Sequence, residues 1–585
     1  MNNKTEIKKK SFQTLLLWIA GILIINIISS KFFFRIDLTD DKHFSLTNFT
    51  KDYLRDLRGS VMVRVYLDGE ELPVSFKRMK DEIKSKLDEF KVYGGNKIDY
   101  MFINPTASDK KEVRYGIFKQ LYELGLKPVE IDNQTQEQTT KTMIFPCAVI
   151  CYTLEGKTGE DLHDTTLVRE IGLNLLKADP QLAAGDEQNI FNSVETLEYE
   201  IINAIYRLSE IEKPKIAFIE GHGEAAEEYL VDICTELSDY YDVRRGNLNT
   251  EPDVLKNFAA LVIAKPTKPF SEDEKFILDN YIMNGGNVLW LLDATSASMD
   301  SLQANGISAV LPLNTNLDDM LFTYGVRLNA NVIRDLQCAP IGLTVNGYNN
   351  QPQIKLFSWD YFPVILSRIK NPITKHLNYL LCHFAGTIDT VGTNLPIKKT
   401  VLLQSGKYSK INNAPFSLSF EQISQKPDPN DFNKPFQTVA VLLEGNFESA
   451  FSERKGKTIN GKFYPSTTSA KPSKQIVVSD GDIIMNEISP KGEPYPLGFD
   501  RNSQNTFKGN KEFIINSLNY LSGNEDLLSI RLKEMKVRIL DKQRAQKERM
   551  FWSFLNVVLP LLVISLLGLG IYIIRTKKYS KSKEK

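Results

Sequence analysis

The spacing of apolar residues changes several times along the chain, and each period predicts a type of secondary structure. Apolar residues spaced by four, four and three positions predict one buried face of a helix, at Met79, Ile83, Leu87 and Phe90. Alternation with β-branched residues predicts a strand in SVMVRVYLDG, residues 60–69. A continuous apolar run, FAALVIAKPT at residues 258–267, is typical of a strand that is covered on both faces of its sheet. Helices and such strands alternate, which predicts the α/β class.

Three further elements are predicted in the first part of the chain. Thr47 is a predicted N-cap for a short helix that runs through Leu57. The four-four-three spacing recurs later and predicts a second helix face, at Val113, Ile117, Leu121 and Leu124. The stretch TMIFPCAVICYTLEGKT, residues 142–158, is predicted to form two strands around a glycine turn.

These elements place a first α/β region at about residues 61–208, with the order βαβαββα. Because Pro146 stands just before the third strand, the region resembles the thioredoxin-like fold. In that fold a redox motif begins the first long helix, but the corresponding stretch here, LDGEELPVSFKRM, contains no cysteine. Thiol exchange needs a thiolate at that helix N-terminus. The resemblance therefore implies a scaffold or binding module without redox activity.

The second region, residues 211–525, alternates buried strands with helices and is predicted to form a doubly wound parallel sheet. Ser271 and Glu274 form a predicted capping box on one of its helices. The run FAALVIAKPTKPFSEDEKFILDNYIMNGGNVLWLLDA resembles class I glutamine amidotransferases, in which a cysteine nucleophile ends the second strand. The matching position is Leu292, followed by Asp293, so the nucleophile is missing. Residues from about 314 to 470 are predicted to be a β-rich insertion, and the sequence leaves their strand order open.

Two apolar segments, residues 12–30 and 551–574, are predicted to be transmembrane helices. Lysines precede the first and basic residues follow the second, so both ends of the chain are predicted to be cytoplasmic. The predicted order is a cytoplasmic N-terminus at 1–11, the first span at 12–30, an extracytoplasmic thioredoxin-like domain at 31–210, an extracytoplasmic amidotransferase-like domain at 211–525, a basic juxtamembrane segment at 526–550, the second span at 551–574 and a cytoplasmic basic tail at 575–585.

Charge and motifs exclude two classes of function. Lys and Arg together number 72, and Asp and Glu also number 72. A neutral chain has no global field that would hold a polyanion, so nucleic acid is not a predicted partner. The sequence contains no GxxxxGK[ST] phosphate-binding loop. Any ATP hydrolysis that the protein depends on must therefore come from another chain.

The most site-like stretch is EGHGE, Glu220–Glu224, which follows the predicted strand KIAFI. Neighbouring positions in a turn do not easily converge on one metal ion, and no nucleophile is evident beside His222 on a strand-to-helix elbow, so no metal ligand and no catalytic residue is predicted. Glycine permits positive φ and can present N–H groups at a helix start. Two interpretations stay open, a structural turn or a contact surface made of Glu220, Gly221, His222, Gly223, Glu224 and Asp293.

Over most of its length the chain resembles the gliding-motility-associated ABC transporter auxiliary family, GldG. The resemblance rests on four strings in order: FRIDLTDDKHFSLTNFTKDYLRDL, FIEGHGE, FILDNYIMNGGNVLWLLD and LLSIRLKEMKVRILDKQ. It implies a non-enzymatic inner-membrane accessory subunit without a cofactor, which acts in gliding motility and surface protein secretion through periplasmic domains. The implied partners are a polytopic ABC permease, a cytoplasmic ATPase subunit, membrane lipid and an envelope or cargo component.

Two alternatives of other classes remain. One is an extracytoplasmic receptor for a sugar or peptide, with a crevice beside Gly221, His222, Gly223 and Asp293, because ligands bind at the carboxyl ends of strands in open α/β sheets. The other is a divergent hydrolase that uses His222 as a base.

Overall fold

The computed structural model describes residues 16–22, 45–69, 72–126, 128–134, 139–156, 165–177, 185–210, 212–248, 252–346, 352–392, 396–424, 427–454, 456–459, 461–466, 471–532 and 547–580. The chain forms two compact units, Met1–Glu534 and Met535–Lys585.

The first part of the larger unit mixes helices with short strands. In chain order its elements are α1 (residues 16–22), α2 (Asn48–Asp56), β1 (Ser60–Val65), α3 (Val74–Gly94), β2 (Ile98–Phe102), α4 (Lys111–Glu123), β3 (Val129–Gln134), β4 (Thr139–Ile144), β5 (Cys147–Gly156), β6 (Thr165–Asn174) and α5 (Glu187–Ser209). The predicted cap is confirmed, because the Thr47 side chain accepts a hydrogen bond from the Thr50 amide at the start of α2.

A four-stranded sheet in the order β2-β1-β5-β6 organises this part. Strand β1 is parallel to β2 and antiparallel to β5, and β5 is antiparallel to β6. The predicted apolar face of α3 is confirmed, since all four residues are at most 1% exposed, namely Met79, Ile83, Leu87 and Phe90. The helix ends at Gly94, and Gly95 takes φ +59°.

Two predictions in this part are wrong in detail. Residues 142–158 do not form one hairpin around a glycine turn: they hold the end of β4, which pairs with β3, and β5, which pairs with the unpredicted strand β6. On α4, Leu121 is buried but Val113 is 46% exposed. The apolar cluster under α4 includes Ile117 and Leu121 and does not reach the first turn, so the four-residue spacing overstates the buried face.

The second part contains the larger sheet and most of the strands. Its elements are β7 (Lys215–Glu220), α6 (Val231–Leu237), β8 (Asp242–Asn247), β9 (Ala260–Ala264), α7 (Glu272–Met283), β10 (Asn287–Leu291), α8 (Met299–Asn305), β11 (Ile307–Val310), α9 (Asp318–Tyr324), β12 (Val326–Asn329), β13 (Asn331–Asp335), β14 (Cys338–Asn346), β15 (Pro352–Ile365), β16 (Leu380–Leu381), β17 (Thr387–Thr390), β18 (Ile397–Gln404), β19 (Ser409–Asn413), β20 (Phe416–Ser419), β21 (Thr438–Gly445), β22 (Gly456–Ile459), β23 (Lys462–Pro465), β24 (Ser473–Val478), β25 (Phe499–Asp500), β26 (Asn505–Thr506), α10 (Gly509–Leu521) and α11 (Glu525–Ser529).

Seven strands form one sheet in the order β18-β21-β24-β10-β9-β7-β8. The five strands from β24 to β8 are parallel, and β21 and β18 extend the sheet in antiparallel fashion. Every residue of β9 is buried, and alternate residues enter two different apolar clusters: Ala260, Val262 and Ala264 lie in one, Leu261 and Ile263 in the other. The predicted parallel sheet with both faces covered is therefore confirmed.

The region predicted as a β-rich insertion consists mostly of short antiparallel pairs. These are β12 with β17, β13 with β19, β14 with β15 and β22 with β23. Strands β18 and β21 fall within the same region but belong to the seven-stranded sheet. Its strand order could not be read from the sequence, because β12 and β13 pair with strands that are distant in the chain, β17 and β19.

One apolar cluster joins the first and second parts of the larger unit. It runs from Leu46 and Leu54 near the start of the unit to Leu527 and Ile530 near its end. Helix α11 contacts both α2 and α5. Helices α2 and α11, which are far apart in the sequence, therefore pack against each other.

The smaller unit contains α12 (Arg549–Ser580). Among the described residues, Arg549–Lys577 is the one helical stretch long and apolar enough to cross a membrane, with a mean hydropathy of 2.7 in its most apolar window, none of which is buried. Residues 16–22 of the first predicted span are helical, and the rest of that span lies outside the described residues.

Candidate functional site

The EGHGE stretch forms the turn at the carboxyl end of β7, the edge at which open α/β sheets commonly bind ligands. Gly221 has φ +121° and Gly223 has φ +72°, both of which favour glycine. A Cβ atom on Gly223 would lie 2.2 Å from Thr267 Oγ1. The turn is tied to the next strand because the Ala225 amide donates to the Ala264 carbonyl at 2.9 Å.

His222 lies inside this turn and is only 3% exposed. Its Nδ1 is 2.9 Å from Glu224 Oε1, and its Nε2 is 3.1 Å from Glu274 Oε1. The imidazole stacks on the Phe270 ring with centroids 3.6 Å apart and planes 13° apart. The His222 carbonyl accepts hydrogen bonds from the Thr267 and Lys268 amides, both at 2.8 Å. His222 thus connects β7 to the loop after β9 and to the start of α7.

Glu274 has two roles at once. Its Oε2 accepts from the Ser271 amide at 2.8 Å and closes the predicted capping box of α7, which is confirmed, while its Oε1 faces His222. Burial by itself would lower the pKa of His222, but the hydrogen bonds with Glu224 and Glu274 outweigh it and raise the pKa. The two carboxylates therefore favour an imidazolium that donates from both nitrogens.

The arrangement gives the hydrolase alternative no support. A general base needs a ring nitrogen that can accept a proton from a substrate or nucleophile. Both nitrogens of His222 are engaged by carboxylates, and no hydroxyl or thiol of the described residues hydrogen-bonds to the ring. Glu220 is also engaged, since its Oε1 lies 2.6 Å from Arg245 Nη2 on the adjacent strand β8.

Asp293 lies at the same edge of the sheet but in a different cluster. It follows β10, while Asp480 and Asp482 follow the neighbouring strand β24. Carboxylate oxygens of these three aspartates lie within 4.8 Å of one another. Lys265, directly after β9, places its Nζ 3.5 Å from Asp293 Oδ2 and contacts Asp482. Three adjacent parallel strands thus supply one buried ionic cluster.

The charged groups of this cluster change one another's pKa values. Burial raises the pKa of Asp480 well above its usual range, and the charges of Asp482 and Asp293 raise it further. Burial would lower the pKa of Lys265, but Asp482 and Asp293 outweigh it and raise the pKa. Three carboxylates at this spacing are a set that could hold a divalent cation. In this structure the Lys265 ammonium supplies the countercharge, so the cluster stands as an internal ion network.

Backbone contacts fix the network. Lys265 takes φ +56°, which is unusual for a side chain other than glycine, and its amide donates to the Leu291 carbonyl at 2.8 Å. The Gly481 amide donates to Asp293 Oδ1 at 2.6 Å, and the His383 amide donates to Asp480 Oδ2 at 2.8 Å. Backbone amides thus hold the carboxylates of Asp293 and Asp480, and the Lys265 ammonium holds that of Asp482.

The structure places the six predicted contact residues along one sheet edge but divides them. Glu220, Gly221, His222, Gly223 and Glu224 form one turn, and Asp293 belongs to the lysine cluster. The loop after β9 touches both groups, through Lys265 on one side and the Thr267 and Lys268 amides on the other. Sequence reasoning missed Lys265, Phe270, Asp480 and Asp482. The sequence does contain a signal for Asp480 and Asp482: the pattern SDGD directly follows a buried strand, just as LLDA ends β10.

Two family models match parts of this chain. Residues 213–517, just over half of the chain, match the family model described as an ABC-type uncharacterized transport system. Residues 40–151 match a domain of unknown function, DUF7088.

A relative from Borreliella burgdorferi, named "Uncharacterized protein", is 22% identical over 531 residues, which cover 90% of this chain and 89% of the relative. Among solved structures, the mmIFT52 N-terminal domain is 13% identical, with coverage of 53% of this chain and 97% of that chain and a TM-score of 0.29. At that TM-score the likeness carries no argument.

Proposed function

Because the chain belongs to the ABC-type uncharacterized transport system auxiliary family, we propose that it is a non-catalytic, membrane-anchored accessory subunit of an ABC transporter complex. Its partners are a polytopic permease and a cytoplasmic ATPase subunit, and membrane lipid surrounds its anchors. The observation that carries this proposal is the closed chemistry of the sheet edge. His222 is held between two carboxylates, and Lys265 is held among aspartates. A site built for contact and rigidity suits a subunit that positions partners.

The anchor is the apolar stretch of α12. The apolar side chains of this stretch are not buried in the protein, which is unfavourable in water. The stretch is also long enough to span the hydrocarbon core of a membrane. We extend this to the two-span topology, with residues 12–30 as the first span, both termini in the cytoplasm and the body in the periplasm. The six predicted contact residues, Glu220–Glu224 and Asp293, are proposed to form part of the surface that meets a partner.

The finer fold classes are part of the proposal. The strand order β2-β1-β5-β6 with its parallel and antiparallel pairing supports a thioredoxin-like first domain. Numbered by their own chain order, the five parallel strands of the large sheet lie in the order 2-1-3-4-5, which supports a doubly wound second domain. The role in gliding motility and surface protein secretion rests on the GldG-like strings of the sequence.

Co-purification after gentle detergent extraction tests the assignment. The full-length chain should recover a permease and an ATPase, and a variant cut before Arg549 should recover less of both, because it keeps only the first of the two proposed spans. A variant with the exposed pair Arg327 and Asp389 replaced by alanine serves as the control and should recover both partners. Recovery of neither partner by the full-length chain would refute the accessory role.

Three further measurements address the topology, the role in motility and the absence of catalysis. Cysteine accessibility in intact cells, probed at a residue introduced on the exposed loop near Lys268, should show a periplasmic body; labelling only after lysis would overturn the topology. Deletion of the gene in the organism that carries it should abolish surface spreading. Hydrolysis of an ester, peptide or glycan by the purified chain, with loss on His222→Ala, would contradict the non-catalytic role.

A further inference from the structure

A second polar site lies away from the sheet edge, in a cavity of about 400 Å³ within the larger unit. Helix α5 forms one wall and α10 the other, and residues 366–379 and Arg531 close it. This volume lies in the range of small-molecule pockets. Side chains of α5 that line the cavity recur every three or four residues along one helix face: Asn192, Thr196, Tyr199, Asn203 and Arg207.

Buried polar atoms in this cavity have no hydrogen-bond partner among the described residues. They are Asn203 Oδ1, Arg207 Nε and Arg531 Nε. Asn203 is 8% exposed, and its Nδ2 donates to Tyr240 Oη at 2.9 Å, which leaves the oxygen unused. More than nine in ten buried polar groups in proteins are paired. An acceptor and two donors left open in one cavity indicate that a bound molecule completes them.

The charges show what kind of molecule fits. Lys177 pairs with Glu200 at 2.8 Å, and Arg207 contacts Glu236 and Asp239. Arg531 has no ion pair with any described residue: its Nη1 donates to the neutral Asn516 Oδ1 at 3.0 Å, and its guanidinium lies 5.0 Å from the centre of the Tyr199 ring. A guanidinium without a charged partner is suited to bind a carboxylate through two parallel hydrogen bonds.

The rest of the lining sets the total charge of the ligand. The cavity is lined by three basic side chains, Lys177, Arg207 and Arg531, and by three glutamates, Glu200, Glu236 and Glu512. A dianion would meet repulsion from these glutamates, and a plain cation would leave Arg531 unmatched. A zwitterion matches both signs, because its ammonium group can donate to Asn203 Oδ1 while its carboxylate accepts from Arg531.

We propose that this cavity is a binding site for a free α-amino acid, with the ligand carboxylate on Arg531 and the ligand ammonium on Asn203. The rings of Tyr199 and Tyr240 flank the polar contacts. The assignment is independent of the transporter role, since it requires only the folded larger unit.

The test uses the purified full-length chain in detergent, with calorimetric titration and thermal shift as readouts. The probes are the twenty amino acids, each binder's carboxamide and decarboxylated amine, and inorganic phosphate. At least one amino acid should bind, its carboxamide and its amine should bind tenfold or more weakly, and phosphate should not compete. Binding of phosphate without any amino acid, or no binding by any of the twenty, would overturn the proposal.

Two variants locate the site. Arg531→Gln should weaken binding at least tenfold, because it removes a charge-assisted contact. Arg327→Gln, an exposed arginine outside the cavity, is the matched control and should bind as the wild type does. If Arg531→Gln does not fold, Asn203→Ala is measured instead, and its affinity for the amino acid should be severalfold lower than that of the wild type. Unchanged affinity in the folded variant would refute the assignment.

Discussion

The sheet-edge site and the helix-lined cavity both concentrate buried polar groups, yet they differ in how those groups are satisfied. At the sheet edge, His222 holds a carboxylate on each ring nitrogen, and Lys265 sits among aspartates. In the cavity, Asn203 and Arg531 each carry a buried atom without a partner among the described residues. The first arrangement is complete without a ligand, and the second is not. Hydrogen-bond satisfaction, rather than the presence of histidines and carboxylates, distinguishes the two.

Replacement of Lys265 is expected to destabilise the protein more than any other change proposed here. Lys265→Met leaves the buried Asp480 and the half-buried Asp293 and Asp482 without their countercharge and should lower the free energy of unfolding by about 3–5 kcal/mol. Denaturant titration of the full-length chain in detergent measures it, with fluorescence of the fully buried Trp290 as the probe. Lys268→Met, at an exposed lysine three residues later, is the control and should change little. Equal effects of the two variants would show that the ion network contributes nothing.

Gly223→Ala should have the next largest effect. Its left-handed backbone disfavours any Cβ by about 1–2 kcal/mol, and the contact with Thr267 Oγ1 adds about 1–3 kcal/mol. Gly306→Ala, at φ +71° with no atom within 4 Å, isolates the backbone part. The double variant Gly223→Ala/Thr267→Ala should recover the contact part. If Gly306→Ala proves as harmful as Gly223→Ala, the turn is not closely packed.

The pH dependence of stability sharpens the interpretation of His222. Its pKa is raised in the folded protein, so its stabilisation is fully present below the unfolded histidine pKa of about 6.5 and is lost as the pH rises through the folded pKa. His222→Gln should therefore lower the free energy of unfolding by about 1–3 kcal/mol at acidic pH, where the melting temperature should also fall most. The difference in stability between this variant and the wild type should become smaller toward alkaline pH. A difference that grows with pH would show that the neutral ring is the form the fold prefers.

The smallest effect is expected in the cavity. Asn203→Ala removes a side chain with an unused oxygen and one hydrogen bond, so it should cost about 1 kcal/mol or less in the absence of ligand. Asn510, which is 3% exposed and bonded to both Leu381 backbone groups and to the Ile483 carbonyl, is the matched comparison. Asn510→Ala should cost about 2–3 kcal/mol. Reversal of this order in denaturant titrations would contradict the distinction between satisfied and unsatisfied sites.

Local patterns in the sequence predicted much of the fold. The apolar face of α3, the Thr47 cap and the Ser271–Glu274 capping box depend on neighbouring residues and are confirmed. The charged strand β6 was missed, because its pattern, TTLVREIGLN, lacks clean alternation and its pairing with β5 sets its structure.

The chemistry of both sites depends on contacts between distant residues. Glu274 looked like a helix cap alone, and only the packing of α7 against the β7 turn brings its second oxygen to His222. The polar residues of α5 line the cavity only because α10, more than three hundred positions later in the sequence, lies opposite them. The periodicity of apolar residues does not show which distant element packs against a given residue. The sequence alone therefore indicates candidate residues but not the residues that they contact.

The contact between α2 and α11 joins sequence-distant parts of the larger unit. Leu54 of α2 and Leu527 of α11 belong to one apolar cluster, so residues far apart in the sequence pack into the same core. Loss of either helix would therefore expose apolar surface on the other and destabilise the beginning and the end of the larger unit together.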